Sequence, residues 1–484
     1  NYFRYIFWKN IKQYLYLKNI LLRFFKIKNN KDFSKKILVL YNDGHDLNKR
    51  SDLFWLKDEK IKKETLFYFQ DKESMELFFK SEILLKKLSN SKIKSYKLWD
   101  FSTNNFNYYD QQINLYISNY SPKNSFEKWL KNEMIIMINK IDYWFNFFKF
   151  VGSRIHIGQT DDGVINIIKK IALSKLEIIS IGKIKSYPNN IKSLFYKYYC
   201  DDVFFIWGKD SFKKINNSYN DNETYIISGF PYNINLIDKK KYQLSLIKKN
   251  FRIKNIKFSI LLLDDNFSKN LNNKQVVDSN SMFNFYDSFF NLLIKNKDIG
   301  IIIKSKKNFD LNKIENFNLK LSRALKTGRL YIVNDSFGKF PSIYSKICNI
   351  TVGISIFFPT ALLECAIDNN KCLFYDYPNL NNLEKKSFSK YSKNIFFNNL
   401  NELIQVIIRF KNNRNLYNNL GDWSKIIKKF NHFIDYKGGE RIGQYIKFIL
   451  KYDKFNQNRK ILIKNANREY SHKYGKNLIF KSIK

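Results

Sequence analysis

Short apolar segments alternate with helical segments along the chain, and this alternation constrains the fold more than any other feature. "KKILVLYNDGHD" contains an apolar strand at residues 37–41, and "KLEIISIG" and "DDVFFIWG" are further strand candidates with helical stretches between them. Parallel strands need long crossover connections, so this order predicts parallel βαβ units. The alternation restarts at "KFSILLLDD", after the polar and basic residues 234–256. The sequence therefore predicts an α/β protein with two Rossmann-like, doubly wound domains that face a central cleft.

The length of 484 residues also favours two domains, because single hydrophobic cores seldom grow beyond about 250–300 residues. The predicted division follows the changes in composition. Its parts are a basic amphipathic helix (1–30), a first domain (31–233), a linker (234–256), a second domain with terminal helices (257–450) and a basic tail (451–484). The tail is strongly basic and weakly periodic, and we expect it to be solvated or associated with a surface.

Apolar side chains recur at helical spacing in the first 30 residues. They are Phe3, Phe7, Tyr14, Leu17, Leu21 and Phe24, with lysines and arginines over much of the remaining surface. Two interpretations stay open: a helix packed on the first domain, or a basic interfacial helix on an anionic bilayer. No apolar run in the sequence reaches the about 18 residues that a transmembrane helix needs.

The charge permits anionic partners without demonstrating them. Lysine and arginine number 85 against 43 acidic residues, for a formal charge of +42. Genome base bias is a competing explanation that can supply many of these lysines, since Asn, Ile, Phe and Tyr, whose codons are also A/T-rich, are abundant too. A nucleic-acid-binding protein is the non-enzymatic alternative, but the charge is scattered and no recognition module is evident. Four cysteines without a C-x-x-C pair indicate core thiols in a reducing, cytoplasmic compartment.

Polar residues follow the strands of the second domain, at the edge where doubly wound sheets bind ligands. Lys304 and Lys306 come directly after "IGIII", where an ammonium could meet a diphosphate. Ser355 precedes Pro359 and Thr360, which open a helix whose N-terminus favours anions. Solvated lysines and an ordinary helix cap are the simpler alternatives for these residues.

Glu364 lies in an otherwise apolar helix, next to Leu363 and Cys365. A buried, unpaired carboxylate costs several kcal/mol, so Glu364 has to pair with a lysine, emerge into water, or meet a bound donor group in a cleft. It follows Thr360 by one turn on the same helix face. Phosphate at the helix start and a sugar hydroxyl on the carboxylate together form a coherent nucleotide site.

The first domain offers candidates for a general base. "YNDGHD" contains Asp43 and His45, and "RIHIGQTDDG" contains His156 and Asp161. Asp161 is the preferred base because it follows a strand in a loop, although a helix cap explains it about as well. His156 alternates with apolar neighbours, so a core histidine is the competing interpretation.

Several motifs are absent from the sequence. It contains no P-loop, no G-x-G-x-x-G after the first strand, no H-E-x-x-H and no D-x-D. Asp264 and Asp265 are adjacent, and we expect their side chains to point to opposite sides. These observations favour a mechanism without metal and without a cofactor.

The order of elements resembles the two-domain GT-B glycosyltransferases, particularly those of bacterial surface-carbohydrate and capsule biosynthesis. The resemblance rests on "VFFIWGK", "SGFPYN", "VGISIFFPTALLECAIDNNKCLFYD" and "FIDYKGGERIGQYIKFIL", and as organisation it covers roughly residues 36–450. It implies a nucleotide-sugar held by the second domain, an acceptor approached from the first, and no metal. It further implies that Ser355 and Thr360 face the diphosphate and that Glu364 binds the ribose. The glycine-rich loop of the family is reduced here to Gly44.

The resulting expectation is a glycosyltransferase that moves a sugar from a nucleotide-sugar to a surface polysaccharide or a lipid-linked glycan. Asp161 would accept the proton, Lys304 or Lys306 would stabilise the leaving diphosphate, and Glu364 would hold the ribose. A polyol-phosphate transferase with a CDP-linked donor, as in the wall-teichoic-acid polymerases, is the second enzymatic possibility. The expected location is the cytoplasm, with an anionic membrane surface at the inner face of the plasma membrane as a possible partner.

Overall fold

The computed structural model describes most of the chain. The described residues are 36–40, 54–69, 89–90, 93–98, 101, 111–158, 164–184, 186–188, 199–216, 222–231, 241–265, 267–268, 277–306, 317–333, 341–355, 359–377, 393–453 and 458–481. The predicted amphipathic helix at residues 1–30 lies outside them. None of the described helices is long and apolar enough to cross a membrane.

The first sheet has eight strands in the order β16-β7-β6-β5-β4-β1-β2-β3. They are β1 (Ile37–Leu40), β2 (Thr65–Phe69), β3 (Lys94–Lys97), β4 (Ile155–Ile157), β5 (Ile179–Lys183), β6 (Val203–Ile206), β7 (Thr224–Ile227) and β16 (Ile479–Lys481). All neighbours are parallel except β16, which is antiparallel to β7.

The second sheet has six parallel strands in the order β12-β11-β8-β13-β14-β15. They are β8 (Phe258–Leu263), β11 (Ile299–Lys304), β12 (Leu330–Val333), β13 (Ile350–Ile354), β14 (Cys372–Tyr375) and β15 (Phe396–Phe397). A short pair, β9 (Phe267–Ser268) and β10 (Val277–Asp278), lies apart from both sheets. Both large sheets thus contain the Rossmann order 3-2-1-4-5-6, and the predicted GT-B-like α/β fold class is confirmed.

Helices connect these strands. The described ones are α1 (Glu59–Lys63), α2 (Gln111–Asn119), α3 (Ser125–Val151), α4 (Val164–Lys175), α5 (Lys209–Asn216), α6 (Lys241–Ile253), α7 (Ser279–Lys295), α8 (Phe317–Lys326), α9 (Pro341–Ser345), α10 (Thr360–Ile367), α11 (Leu400–Asn412), α12 (Ile427–Phe430), α13 (Gly438–Asp453) and α14 (Arg459–Tyr474). Strands β8 and β11 are buried along their whole length, because helices cover both faces of a parallel sheet. This burial explains their continuous apolar sequence.

The C-terminal residues join the first sheet, so the expectation of a solvated or surface-associated tail is wrong for residues 458–481. Helix α14 buries Leu462, Ala466 and Tyr470, which recur every four residues and form one apolar stripe among the basic side chains. Strand β16 pairs with β7, and Arg459 Nη1 lies 3.5 Å from Oδ1 of the buried Asp202 at the start of β6. Because most side chains around this stripe are basic or polar, the sequence did not reveal that α14 packs against the first sheet.

The segment from α12 to α13 packs against the first sheet. Asn431 Oδ1 accepts a hydrogen bond of 2.7 Å from the backbone N–H of Phe230, just after β7. Arg441 donates to the carbonyl of Ser228 at 3.1 Å. A Cβ on Gly208, which follows β6, would lie 2.5 Å from the carbonyl oxygen of Lys429, so the backbones are in direct contact here. The chain therefore returns from the second sheet to close part of the first.

Candidate functional site

The strand order of the second sheet reverses between β8 and β13, and ligands of doubly wound sheets bind beyond the carboxyl ends of the strands at such a point. Strand β8 runs into Asp264 and Asp265, and β13 runs into Ser355. The neighbouring strand β11 ends at Lys304 and leads to Lys306. Polar residues from three adjacent strands are therefore brought to one edge.

Asp265 joins two of the predicted donor-binding residues. Its carboxylate accepts a hydrogen bond from Ser355 Oγ and forms an ion pair with Lys306 Nζ. The Lys306 side chain is 43% exposed, whereas the Ser355 residue is buried. Lys306 and Ser355 are 49 positions apart in the sequence (355 − 306), and both bind the carboxylate of Asp265. No functional role for Asp265 was predicted from the sequence.

Asp264 forms the inner part of the same cluster. It accepts a hydrogen bond of 2.7 Å from the hydroxyl of Tyr286, on α7, and one of 2.6 Å from the backbone N–H of Lys306. Burial raises the pKa of Asp264 to about 6, although these hydrogen bonds oppose the shift. Both carboxylates contact Lys306, Asp264 at the backbone N–H and Asp265 at Nζ.

The two predicted lysines occupy different environments. Lys304 is buried at the last position of β11, and its Nζ donates to the carbonyl of Ser305 at 2.8 Å. Lys306 lies two residues further on and reaches the surface. A ligand arriving from solvent meets Lys306 before Lys304.

Helix α10 carries Thr360 and Glu364. Glu364 is only 1% exposed, and its Oε1 accepts a hydrogen bond of 3.3 Å from Ser342 Oγ, on α9. Thr360 Oγ1 accepts a hydrogen bond of 3.0 Å from the backbone N–H of Tyr187, which belongs to the first half of the chain. Thr360 therefore joins the two halves at the start of α10, and Glu364 lies one turn deeper in the fold.

The candidates for a general base separate into two groups. Asp43, His45 and Asp161 lie outside the described residues; β1 and β4, which precede them, are neighbours where the first strand order reverses. His156 lies within β4, is 4% exposed, and its Nε2 is 2.8 Å from the hydroxyl of Tyr68. Burial and then the charge of Lys169 lower the pKa of His156 well below its usual range. Its placement is that of a neutral core histidine, which was the competing interpretation.

Sequence reasoning missed Asp264, Asp265, Tyr286 and Ser342 as members of the site region. The available signal was the position of the two aspartates, which directly follow the buried strand "FSILLL". Within the described residues, no group of three or more His, Cys, Asp or Glu side chains is arranged to hold a metal ion.

A separate cavity of about 420 Å³ lies at the opposite edge of the first sheet, where β1 and β4 begin. Its lining includes Lys36, Ser153, Arg154 and Asp453. Asp453 is paired with both cations, at 3.1 Å from Lys36 Nζ and 2.8 Å from Arg154 Nε. This cavity is separate from the polar cluster of Asp264, Asp265, Lys306 and Ser355 at the edge of the second sheet.

No protein-family model matches the chain, and no curated protein sequence does. Its structure is similar to that of MnaA from S. aureus in complex with UDP, with 13% identity, a TM-score of 0.48, and coverage of 86% of this chain and 97% of that one. It is also similar to UDP-GlcNAc 2-epimerase from Neisseria meningitidis bound to UDP-GlcNAc, with 11% identity, a TM-score of 0.48, and coverage of 86% of this chain and 99% of that one. A third similar structure is that of the wall teichoic acid polymerase TagF, with 11% identity, a TM-score of 0.46, and coverage of 91% of this chain and 98% of that one. At these identities and TM-scores, the chemistry of this chain has to be argued from its own residues.

Proposed function

We propose that the chain is a metal-independent glycosyltransferase that moves a sugar from a nucleotide-sugar to a surface polysaccharide or a lipid-linked glycan. The observation that carries the proposal is the convergence of Asp264, Asp265, Lys306 and Ser355 at the switch point of the second sheet. A polar, partly exposed cluster at this position fits the phosphate and sugar groups of a nucleotide-sugar.

In the proposed complex, Lys306 exchanges its partner. The ammonium now paired with Asp265 would turn to the diphosphate of the donor, and the start of α10 would supply further positive potential. These charges would stabilise the nucleoside diphosphate as it leaves, which is where negative charge develops during glycosyl transfer.

Glu364 would hold the ribose of the donor. The carboxylate is already buried, so a ribose hydroxyl that reached it would form a charge-assisted hydrogen bond without a further desolvation cost for the carboxylate. The acceptor would approach from the first sheet, where Asp161 would take the proton of its hydroxyl. The contact between Tyr187 and Thr360 supports this arrangement, because it brings the first half of the chain to the start of α10.

The first experiment measures thermal stability in EDTA with UDP, GDP, CDP, dTDP and their sugar conjugates. A ligand at 100 times its Kd stabilises the folded protein by about 2.7 kcal/mol, so the preferred nucleotide should raise Tm measurably. Release of a nucleoside diphosphate that requires an added glycan acceptor identifies glycosyl transfer, because the sugar then passes to the acceptor hydroxyl. Release of CMP from a CDP-linked polyol would identify polyol-phosphate transfer, and donor conversion without an acceptor would identify an epimerase.

The second experiment compares Glu364→Gln with Asp368→Asn. Each change removes one carboxylate, but Asp368 lies at the C-terminal cap of α10, one turn after Glu364, and pairs with Lys346 at 2.9 Å. Glu364→Gln should lower kcat/KM for the donor about 10- to 150-fold, the equivalent of about 1.5–3 kcal/mol, with little change in Tm. Asp368→Asn should leave kcat/KM unchanged. Equal kcat/KM for wild type and Glu364→Gln would remove the proposed ribose site.

A further inference from the structure

Helix α3 has two different halves. Its second half buries Ile141, Trp144, Phe147 and Phe148 against the first sheet. Its first half, residues 125–140, is almost entirely exposed although it is rich in apolar side chains. One helix therefore packs as a core element at its end and leaves an apolar surface uncovered at its start.

The exposed half projects beyond the carboxyl edge of the first sheet. The end of α3 lies at the amino edge, because Arg154 and Ile155 donate backbone hydrogen bonds to the carbonyl of Lys36, just before β1. Tyr143 already reaches the other edge, since its hydroxyl donates to the carbonyl of Leu98, just after β3, at 3.2 Å. At 1.5 Å per residue, the stretch 125–142 extends about 27 Å past that edge.

The tip of this projection is a helical hairpin whose turn is held by hydrogen bonds. Helix α2 runs back along α3 and forms with it the α2–α3 hairpin, residues 111–140. Glu127 closes the turn by accepting hydrogen bonds from Lys123 N (2.7 Å) and the Tyr120 hydroxyl (2.8 Å). Lys131 Nζ donates to the carbonyl of Tyr120 at 2.7 Å. The apolar side chains are thus displayed on a turn with defined internal bonds.

The hairpin exposes several large apolar side chains together. They are Ile113 (45%), Leu115 (62%), Tyr116 (74%), Phe126 (64%), Trp129 (55%), Leu130 (41%), Met134 (40%) and Ile136 (44%). Phe126, Trp129 and Leu130 share one face of α3 through their i, i+3 and i+4 spacing. The rings of Phe126 and Trp129 are in contact, with 5.7 Å between their centroids, and exposed apolar side chains clustered in this way mark an interaction site.

The charges near this surface favour an anionic bilayer as the occupant. Residues 111–140 contain four lysines and two glutamates, and one glutamate, Glu127, is used in the turn. A second copy of a chain with net charge +42 would be repelled, whereas anionic lipid would be attracted. Trp129 and Tyr116 are side chains that favour the boundary between headgroups and acyl chains.

We propose that the tip of the α2–α3 hairpin inserts into an anionic lipid bilayer. Phe126, Trp129 and Leu130 enter the headgroup boundary, and Lys123 and Lys128, both exposed, contact the lipid phosphates. The insertion turns the carboxyl edge of the first sheet towards the membrane. It requires no nucleotide-sugar, so it stands independently of the proposed function.

The test measures sedimentation of the full chain, without nucleotide, with phosphatidylcholine vesicles and with vesicles that contain 30% phosphatidylglycerol (about one lipid in three). The variant Phe126→Ser/Trp129→Ser/Leu130→Ser should lower the partition coefficient at least about tenfold and leave Tm unchanged, since all three side chains are exposed. The matched control Ile253→Ser/Leu319→Ser/Leu416→Ser changes three side chains of 66%, 70% and 72% exposure elsewhere and should bind like wild type.

A charge variant, Lys123→Gln/Lys128→Gln, should weaken binding to the anionic vesicles about 25-fold, or about fivefold per lysine, and leave the weak binding to phosphatidylcholine unchanged. Three results would overturn the proposal. They are the absence of vesicle binding by wild type, equal binding by the Phe126/Trp129/Leu130 variant, or a dimer in light scattering that the same variant converts to a monomer. Binding that depends on Phe3 and Phe7 instead would move the membrane contact to the N-terminal segment.

Discussion

The two large sheets share a strand order but differ at their carboxyl edges. After β6 and β7 of the first sheet, Gly208, Ser228 and Phe230 are covered by protein, namely by the segment from α12 to α13. After β8, β11 and β13 of the second sheet, the polar loops meet one another at Asp265 and leave Lys306 exposed. The same topology thus provides two potential binding edges, and packing fills a part of one of them.

The strand order places a potential binding site at the carboxyl edge of each sheet. The loops that follow the strands determine whether that edge packs against protein or presents polar groups to a ligand. On the covered edge the contacts are a direct approach of the Gly208 and Lys429 backbones and side-chain hydrogen bonds to the backbone after β7, which a ligand could not replace without separating these segments. On the polar edge they are hydrogen bonds and an ion pair, which a phosphate or a hydroxyl can exchange. A change at the first edge should therefore affect stability, and a change at the second should affect binding.

The largest expected effect comes from Gly208→Ala at the covered edge. The added Cβ would lie 2.5 Å from the Lys429 carbonyl oxygen, and the backbones would have to separate, at a cost of about 3 kcal/mol in the free energy of unfolding. Urea unfolding measures this loss. Gly158→Ala is the matched control, because its Cβ would meet only the Ile181 carbonyl oxygen at 3.9 Å. Equal stability of the two variants would show that the edge is not tightly covered.

A smaller effect is expected for Lys306→Gln at the polar edge. Loss of one charge that binds the diphosphate and stabilises it as it leaves should lower kcat/KM for the donor about tenfold, about 1.4 kcal/mol, through both a higher KM and a lower kcat. Lys209→Gln is the control, since Lys209 is exposed directly after Gly208 at the edge of the first sheet. If both substitutions lower kcat/KM equally, the effect comes from the overall positive charge of the protein. The polar edge of the second sheet would then not differ from the edge of the first sheet in binding the donor.

A pH effect of similar size concerns Asp264→Asn. The pKa of Asp264 is raised to about 6, so the folded protein holds a proton that the unfolded chain, with a pKa of 3.8, releases. Wild-type stability should therefore fall relative to the variant as pH rises from about 4 to 6, by about 1–2 kcal/mol, and the difference should stay constant above pH 7. Urea unfolding of both proteins at three pH values measures this. Parallel pH profiles would contradict the raised pKa.

Much of the fold follows from local sequence. Strands β8 and β11 are long apolar runs because helices cover both of their faces, and such runs are visible without any structure. Strand β16 could not be found in this way. It has three residues in a basic region, and its conformation depends on the edge of β7, more than 250 positions earlier (479 − 227 = 252).

The site was predictable in its parts but not in its connections. The positions of Lys306, Ser355 and Glu364 after strands or on the following helix indicated polar groups at one edge. The role of Asp265 was not visible, because its partners Lys306 and Ser355 come from two other loops. The same limit applies to Thr360, whose hydroxyl accepts a hydrogen bond from the backbone N–H of Tyr187, 173 positions away. Asp43, His45 and Asp161 stay predictions.

The pairing of β16 with β7 has a consequence for how the protein is made. The first half of the chain leaves the ribosome early, yet its sheet lacks one edge strand until residues 479–481 emerge, and the stripe on α14 must arrive with it. Until then, the edge of β7 is an open template for other strands. We expect the second sheet, whose strands all lie between residues 258 and 397, to complete itself first during translation.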